Sequence, residues 1–242
     1  MKPTYVLNNQ ITSSLVDNGN KMRFDTLLST FQDLAVFHSI ELGVGFYDLL
    51  KKSNALWVLT KVKLYADKMP LLSENVEFTT YPTDISLVRF IREFTASGDM
   101  GAKVIGHSEW CLLDATNFSV RRSNSIDYPF DLERRTDNVG LEFTNTKCEI
   151  LDEDYSYTYS VCLTDIDCNN HVNNVAYARM ALNTFTPNGF NKFDFKSFEI
   201  KFINQAFYGC QIKVYKKKSD ENTIYILGTT DEKQIFSVIL SK

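Results

Sequence analysis

This 242-residue chain lacks most of what would tie it to a membrane, a nucleic acid or a disulfide scaffold. No run approaches the roughly 18 apolar residues of a membrane span, and Met1-Lys2-Pro3-Thr4-Tyr5 has no apolar leader core. An excess of basic residues is missing too. The formal net charge is −4, whereas non-specific nucleic-acid binding needs a basic surface. The five cysteines (Cys111, Cys148, Cys162, Cys168 and Cys210) are odd in number, and no two have CxxC spacing. A disulfide framework and a zinc knuckle are therefore disfavoured. Reduced thiols in a soluble, cytoplasmic protein are the expectation. Histidine is scarce, with three in the chain.

Apolar residues are plentiful at 44%, enough for a sizeable core, and 18 Phe with 12 Tyr favour strands over a helical bundle. After an opening strand, Leu27, Leu28, Phe31, Leu34, Ala35 and Ile40 recur at helical spacing, and Gly43 and Gly45 mark the helix end. Strand-like segments follow at 55–66, 74–80, 87–97 and 104–113, with breaks at Met69-Pro70, Tyr81-Pro82 and Ser97-Gly98-Asp99. A polar connector spans 119–145. The order then returns: a strand over 148–163 and a helix over 173–185 with Val175, Ala178, Leu182 and Phe185 on one stripe. Strands follow at 197–203, 211–217, 223–229 and 234–240. Strand, helix and strands, twice over, predict an α+β protein of two repeated units, each a curved antiparallel sheet around a long helix.

The densest polar run is Asp165-Ile166-Asp167-Cys168-Asn169-Asn170-His171-Val172-Asn173-Asn174, between the fifth strand-like segment and the second helix. Asn and Asp favour turns and caps, so one reading is a turn with a helix cap. Asp165, Asp167 and Asn169 imitate the first ligands of a calcium loop, but Asn170 and Ala176 stand where Gly and Glu are required. His38 and His107 complete no zinc motif. Cys168 beside His171 is a candidate nucleophile, or a side chain turned to the apolar side.

Residues 165–177 resemble the D-x-D-x-N-x-H-V-N-N-x-x-Y signature of acyl-acyl carrier protein thioesterases, the plant plastid enzymes and their bacterial relatives. Phe31-Gln32-Asp33-Leu34-Ala35 is similar to that family's first helix, Trp57-Val58-Leu59 to its W-V-L strand, and Trp110 with Asp114 to its W-x-x-x-D segment. The resemblance covers roughly residues 5–240. It implies a tandem hot-dog fold, with residues 1–135 holding the acyl chain and residues 146–242 carrying the reaction centre. It also implies hydrolysis of the fatty acyl thioester on acyl carrier protein, with no metal and no cofactor. By position, Asp167, Asn169 and His171 match the family's catalytic Asp, Asn and His.

A thioester needs activated water on one side and oxyanion stabilisation on the other. His171 would act as base or water-orienting group. Asn169 would bind the carbonyl or the water. Asp167 would fix one of them or itself activate water. Backbone N–H groups at the start of the second helix would add oxyanion donors. In place of the family's usual Glu stands Gln205, an amide that orients by hydrogen bonds but takes no proton, and Ala206 replaces the Cys that follows it in plants. The stretch Lys21–Asp25 lacks Asn and His, so one reaction centre is expected. Leu27, Phe31, Leu34, Trp57, Phe90 and Trp110 are candidate acyl-chain contacts, or ordinary core. An acidic carrier protein would meet a basic cluster: Lys51-Lys52, Arg121-Arg122, Arg134-Arg135 or Lys216-Lys217-Lys218. A doubled chain fits a monomer or a homodimer.

Overall fold

Strand β1 (Tyr5–Gln10) leads through a 3-10 turn (Ser13–Leu15) into helix α1 (Phe24–Glu41). In this computed structural model, which describes residues 2–129, 135, 138–145 and 148–242 (at Asn191 the backbone only), two units emerge, Met1–Glu142 and Phe143–Lys242. The first continues with α2 (Phe46–Ser53), β2 (Ala55–Lys68), β3 (Asn75–Ile85), β4 (Phe90–Gly98), β5 (Lys103–Asp114) and β6 (Val120–Arg121). Its strands lie in the order β1-β3-β4-β5-β2, every pair antiparallel, with β6 on β5. The second contains β7 (Tyr155–Ser160), a 3-10 turn (Leu163–Asp165), α3 (Asn174–Leu182), α4 (Pro187–Phe193), β8 (Ser197–Phe202), β9 (Gln211–Lys218), β10 (Thr223–Thr229) and β11 (Gln234–Ser241). Its antiparallel order is β8-β11-β10-β9-β7. The expected α+β class with two hot-dog units is the class adopted. No helix among the described residues is long and apolar enough to cross a membrane.

Each sheet buries one face on its helix. Leu27, Leu28, Phe31 and Leu34 of α1 are sealed, each burial contributing roughly 1.5–3 kcal/mol. Phe31 stacks on Phe94 at 4.7 Å and meets Phe78 edge-on at 6.3 Å. In α3 the buried residues are Ala176, Tyr177, Ala178, Met180 and Ala181. The stripe expected from Val175 and Leu182 is thus rotated, because α3 has nine residues and Phe185 lies beyond it, packed on Phe190 and Phe195. Ile40, expected on the buried stripe of α1, is exposed. Helices α2 and α4 went unforeseen: eight and seven residues are too few for periodicity to declare a helix. Pro82 does not end β3. It sits where the β3–β4 register shifts, a place where a missing N–H costs no ladder bond. The strand expected over 148–163 shrinks to β7, flanked by 3-10 turns.

Unit one also seals a cation. Arg92, 8% exposed, donates from Nη1 to His38 Nδ1 at 3.0 Å and to Thr80 Oγ1 at 3.3 Å. Arginine only donates, so His38 Nδ1 carries no proton and Nε2–H points to the Lys2 carbonyl at 3.1 Å. Burial first, then the Arg92 charge, depress His38 from the usual 6.5 to about 4. Folded protein therefore binds fewer protons than unfolded chain between these values. The His38 contribution to stability is complete above pH 6.5 and is lost as pH falls towards about 4. His38→Gln keeps an acceptor for Arg92 and a donor for Lys2 without titrating. Urea midpoints recorded across that window are expected to fall more steeply in wild type than in His38→Gln. Identical slopes would contradict the assignment.

Candidate active site

The polar run between β7 and α3 is a tight turn closed on itself. Ile166 and Val172 form an antiparallel bridge. Inside it, Asp167 N–H donates to the His171 carbonyl at 2.8 Å and Asn170 N–H to the Asp167 carbonyl at 3.1 Å. Asp167 Oδ1 accepts the N–H of Asn169 at 2.8 Å and of His171 at 3.3 Å. Asn170 has φ of 61°, a left-handed conformation that Asn tolerates better than most residues. Asp165 braces the turn from below. Its buried carboxylate accepts from Tyr159 OH and Cys162 N–H, both at 2.9 Å, with Arg179 at 3.8 Å. Asn173 caps α3, its Oδ1 accepting the Val175 N–H at 2.8 Å.

These bonds consume most of the backbone donors of the segment. The N–H groups of Asn169, Asn170 and His171 bond to Asp167, that of Val172 to Ala206, and that of Asn173 to Asp165. Val175 and Ala176 donate to Asn173. The oxyanion donors expected from the first turn of α3 are therefore spent at Val175 and Ala176. The side chains of Cys168, Asn169 and Asn170 are exposed and that of His171 is half-buried. Cys168 is exposed rather than turned to an apolar side, because the chain is curled, not extended. Among the described residues, no three His, Cys, Asp or Glu gather as metal ligands.

A second turn, 204–210, packs on the first. Val172 N–H donates to the Ala206 carbonyl and Ala206 N–H to Tyr177 OH, each at 3.0 Å. The Phe207 ring lies 5.1 Å from the His171 ring. Gln205 stands on this turn, exposed, beside the pinned Ala206. Burial pushes the Tyr177 phenol up to about 12, so it remains protonated at neutral pH. Asp165 and Tyr177 fall within the stretch singled out in the sequence, but sequence reasoning gave neither a role there.

It also misplaced the equivalent stretch of unit one. The copy is Val16–Arg23, not Lys21–Asp25. Val16 bridges Met22, Asp17 N–H donates to the Lys21 carbonyl, and Asn20 N–H donates to the Asp17 carbonyl. Asp17 Oδ1 accepts from Gly19 N–H at 2.8 Å and Lys21 N–H at 3.0 Å, and Asn20 has φ of 60°. Bond for bond this is the Asp167 turn, with Gly19 where Asn169 stands and Lys21 where His171 stands. Setting Val16-Asp17-Asn18-Gly19-Asn20 under Ile166-Asp167-Cys168-Asn169-Asn170 would have revealed it.

The six candidate acyl contacts separate into two groups. Leu27, Phe31 and Leu34 lie in the sealed core under α1. Trp57, Phe90 and Trp110 gather instead in a second cluster with Leu42, Val44, Leu49, Ala55, Ile126 and Tyr128. There Trp57 Nε1 donates to the Val44 carbonyl at 2.8 Å and its ring meets Phe90 edge-on at 4.7 Å.

Comparison with known proteins bears on the fold and the family. The chain is 24% identical over 169 residues to a chloroplastic acyl-[acyl-carrier-protein] hydrolase of Cuphea viscosissima, a match over 63% of this chain and 40% of that protein. The chain thus spans less than half the length of this curated relative. A Bacteroides thetaiotaomicron acyl-ACP thioesterase has the same fold, with a TM-score of 0.89, 17% identity and coverage of 99% and 97% of the two chains. A 12:0-ACP thioesterase from Umbellularia californica superposes with a TM-score of 0.83 at 14% identity, covering 100% and 97%. The acyl-ACP thioesterase N-terminal domain model matches residues 2–127 and the C-terminal domain model residues 148–235, and the chain belongs to the acyl-ACP thioesterase family.

Proposed function

We propose that this protein hydrolyses fatty acyl thioesters of acyl carrier protein, releasing the free acid and the carrier thiol. The observation that carries the reading is the closed turn in which Asp167 takes the N–H groups of Asn169, Asn170 and His171. Asn169 and His171 are the polar side chains to which the reading assigns the chemistry. Asn169 Nδ2 donates to the thioester oxygen as charge develops there. His171 takes a proton from the attacking water and returns it to the departing thiolate. Asp167 holds both residues through their N–H groups. Gln205 orients water or imidazole but takes no proton.

The acyl chain is read as lying along Trp57, Phe90 and Trp110, each buried CH₂ contributing ~0.8 kcal/mol. Of the basic clusters, Lys51-Lys52 suits an acidic carrier best. Both residues are exposed, with Lys52 3.3 Å from Asp48 and donating to the Gly43 carbonyl at 3.4 Å. Arg121, Lys216 and Lys217 are half-buried: Arg121 donates to the carbonyls of Ser53, Asn54 and Ser125, and Lys216 and Lys217 to those of Thr184 and Glu149. Arg134 lies outside the described residues, and Arg135 stands over the Tyr81 ring at 4.1 Å.

Gln205 supports a second reading, a weakened enzyme that binds acyl thioesters without turning them over. An acyl-CoA hydrolase is a third. Thiol release from carrier-protein and CoA thioesters of graded chain length separates them. Carrier substrates are expected to be preferred, His171→Ala and Asn169→Ala each to lose about 10²–10³-fold, and Gln205→Glu to raise the rate. Preference for CoA would reject the carrier reading. Equal background rates in wild type and His171→Ala would reject hydrolysis.

The repeated turn supplies a control. Asp17→Ala and Asp167→Ala remove the same pair of charge-assisted bonds, and each is expected to cost about 1–3 kcal/mol in urea denaturation. Hydrolysis should fall in Asp167→Ala alone. Equal losses of activity in both variants would tie the turn to general stability rather than to the reaction.

A further inference from the structure

Two hydrogen bonds hold the turn that carries Gln205, one to the reaction turn and one to α3, and they use the two peptide groups that flank Ala206. Its carbonyl accepts the Val172 N–H and its N–H reaches Tyr177 OH, buried at 3.0 Å. Tyr177 is 3% exposed, fixed by Phe236 at 5.3 Å and Phe202 at 6.2 Å. A buried amide without an acceptor is costly, so this phenol is what permits an N–H at Ala206.

Unit one shows the alternative. There Met22 N–H, the counterpart of Val172, donates to the Pro70 carbonyl at 2.8 Å. Ser73 N–H donates to Ile11 as Gly209 N–H donates to Val161, and both Ser73 and Gly209 have positive φ, 68° and 81°. Pro70 has no N–H to satisfy, and the residue placed as Tyr177 is placed, four beyond the helix cap, is Leu27. Each unit therefore solves the same turn differently: Pro with Leu in the first, Ala with Tyr in the second.

We infer that Tyr177 is a positioning residue of the reaction centre, holding the Gln205–Phe207 segment against His171 through the Ala206 N–H. The inference rests on the hydrolytic reading above. Pro at 206 would hold the backbone without the phenol, as Pro70 does. The second unit instead ties the turn to α3, the helix that Asn173 caps directly after His171.

The test compares wild type, Tyr177→Phe and Tyr177→Phe/Ala206→Pro, reading kcat, KM, melting temperature and amide exchange at Ala206. Tyr177→Phe keeps the ring and removes the hydroxyl alone. It is expected to speed exchange at Ala206 and lower kcat by about tenfold, with KM little changed. The double variant, which recreates the Pro70–Leu27 solution, is expected to recover most of the lost kcat. A Tyr177→Phe that loses melting temperature but keeps wild-type kcat would overturn the inference. So would a double variant no better than the single one, since Tyr177 would then act other than through Ala206. A wild type that releases no thiol would reject the hydrolytic reading instead. Exchange would then still decide the contact: faster exchange at Ala206 in Tyr177→Phe upholds it, and unchanged exchange overturns it.

Discussion

A single carboxylate oxygen, Asp167 Oδ1, accepts two backbone N–H groups and closes the turn on which the candidate site is built. Charge-assisted bonds of this kind are roughly twice as strong as neutral ones, so the turn has one firm geometry. Closing it spends the N–H groups of Asn169, Asn170 and His171, which a turn before a helix would otherwise offer to an anion. The proposed reaction is accordingly assigned to the side chains of Asn169 and His171. The same closure occurs at Asp17, where Gly19 and Lys21 provide neither an amide nor an imidazole. The turn is thus common scaffold, and the two units differ by what is mounted on it.

The scaffold extends past the turn. In both units the second residue of the bridge, Met22 or Val172, donates to a second turn, at Pro70 in one and Ala206 in the other, and that second turn bends back through a positive φ at Ser73 or Gly209. Around this shared frame the charges diverge. Unit one seals Glu74, whose carboxylate accepts the N–H groups of Leu71, Met100 and Ala102. At the matching place in unit two stands Cys210, and the buried carboxylate of that unit's loop is Asp165. Each unit thus has a buried acid anchoring its loop, drawn from a different position along the chain.

Much of this was legible in the residues. Alternation and turn signals located β2, β5, β8, β9, β10 and β11 within a few residues, because sheets with one buried face impose a period of two. The run from Asp165 to Asn174 stood out by composition, and the resemblance singled out Asp167, Asn169 and His171 within it. Three features stayed hidden, each for a physical reason. Short helices such as α2 bury little, Leu49 alone in that case, and leave no stripe. The Asp17 turn shares its backbone bonds with the Asp167 turn but few side chains besides the Asp and the left-handed Asn, so it shows only when the two stretches are set side by side. The link from Tyr177 to Ala206 joins residues distant in sequence and depends on an N–H that composition does not display.

The central claim is that both turns are one scaffold and that the side chains of Asn169 and His171, proposed as the reactive groups, are what the second turn adds to it. The most direct measurement replaces those two with the residues of the first turn, as Asn169→Gly with His171→Lys in one chain, and follows both unfolding and release of thiol from an acyl carrier protein thioester. The account predicts a cooperative unfolding transition close to wild type, since Gly19 and Lys21 already occupy that geometry, together with loss of hydrolysis. Hydrolysis at the wild-type rate in the folded variant would contradict it.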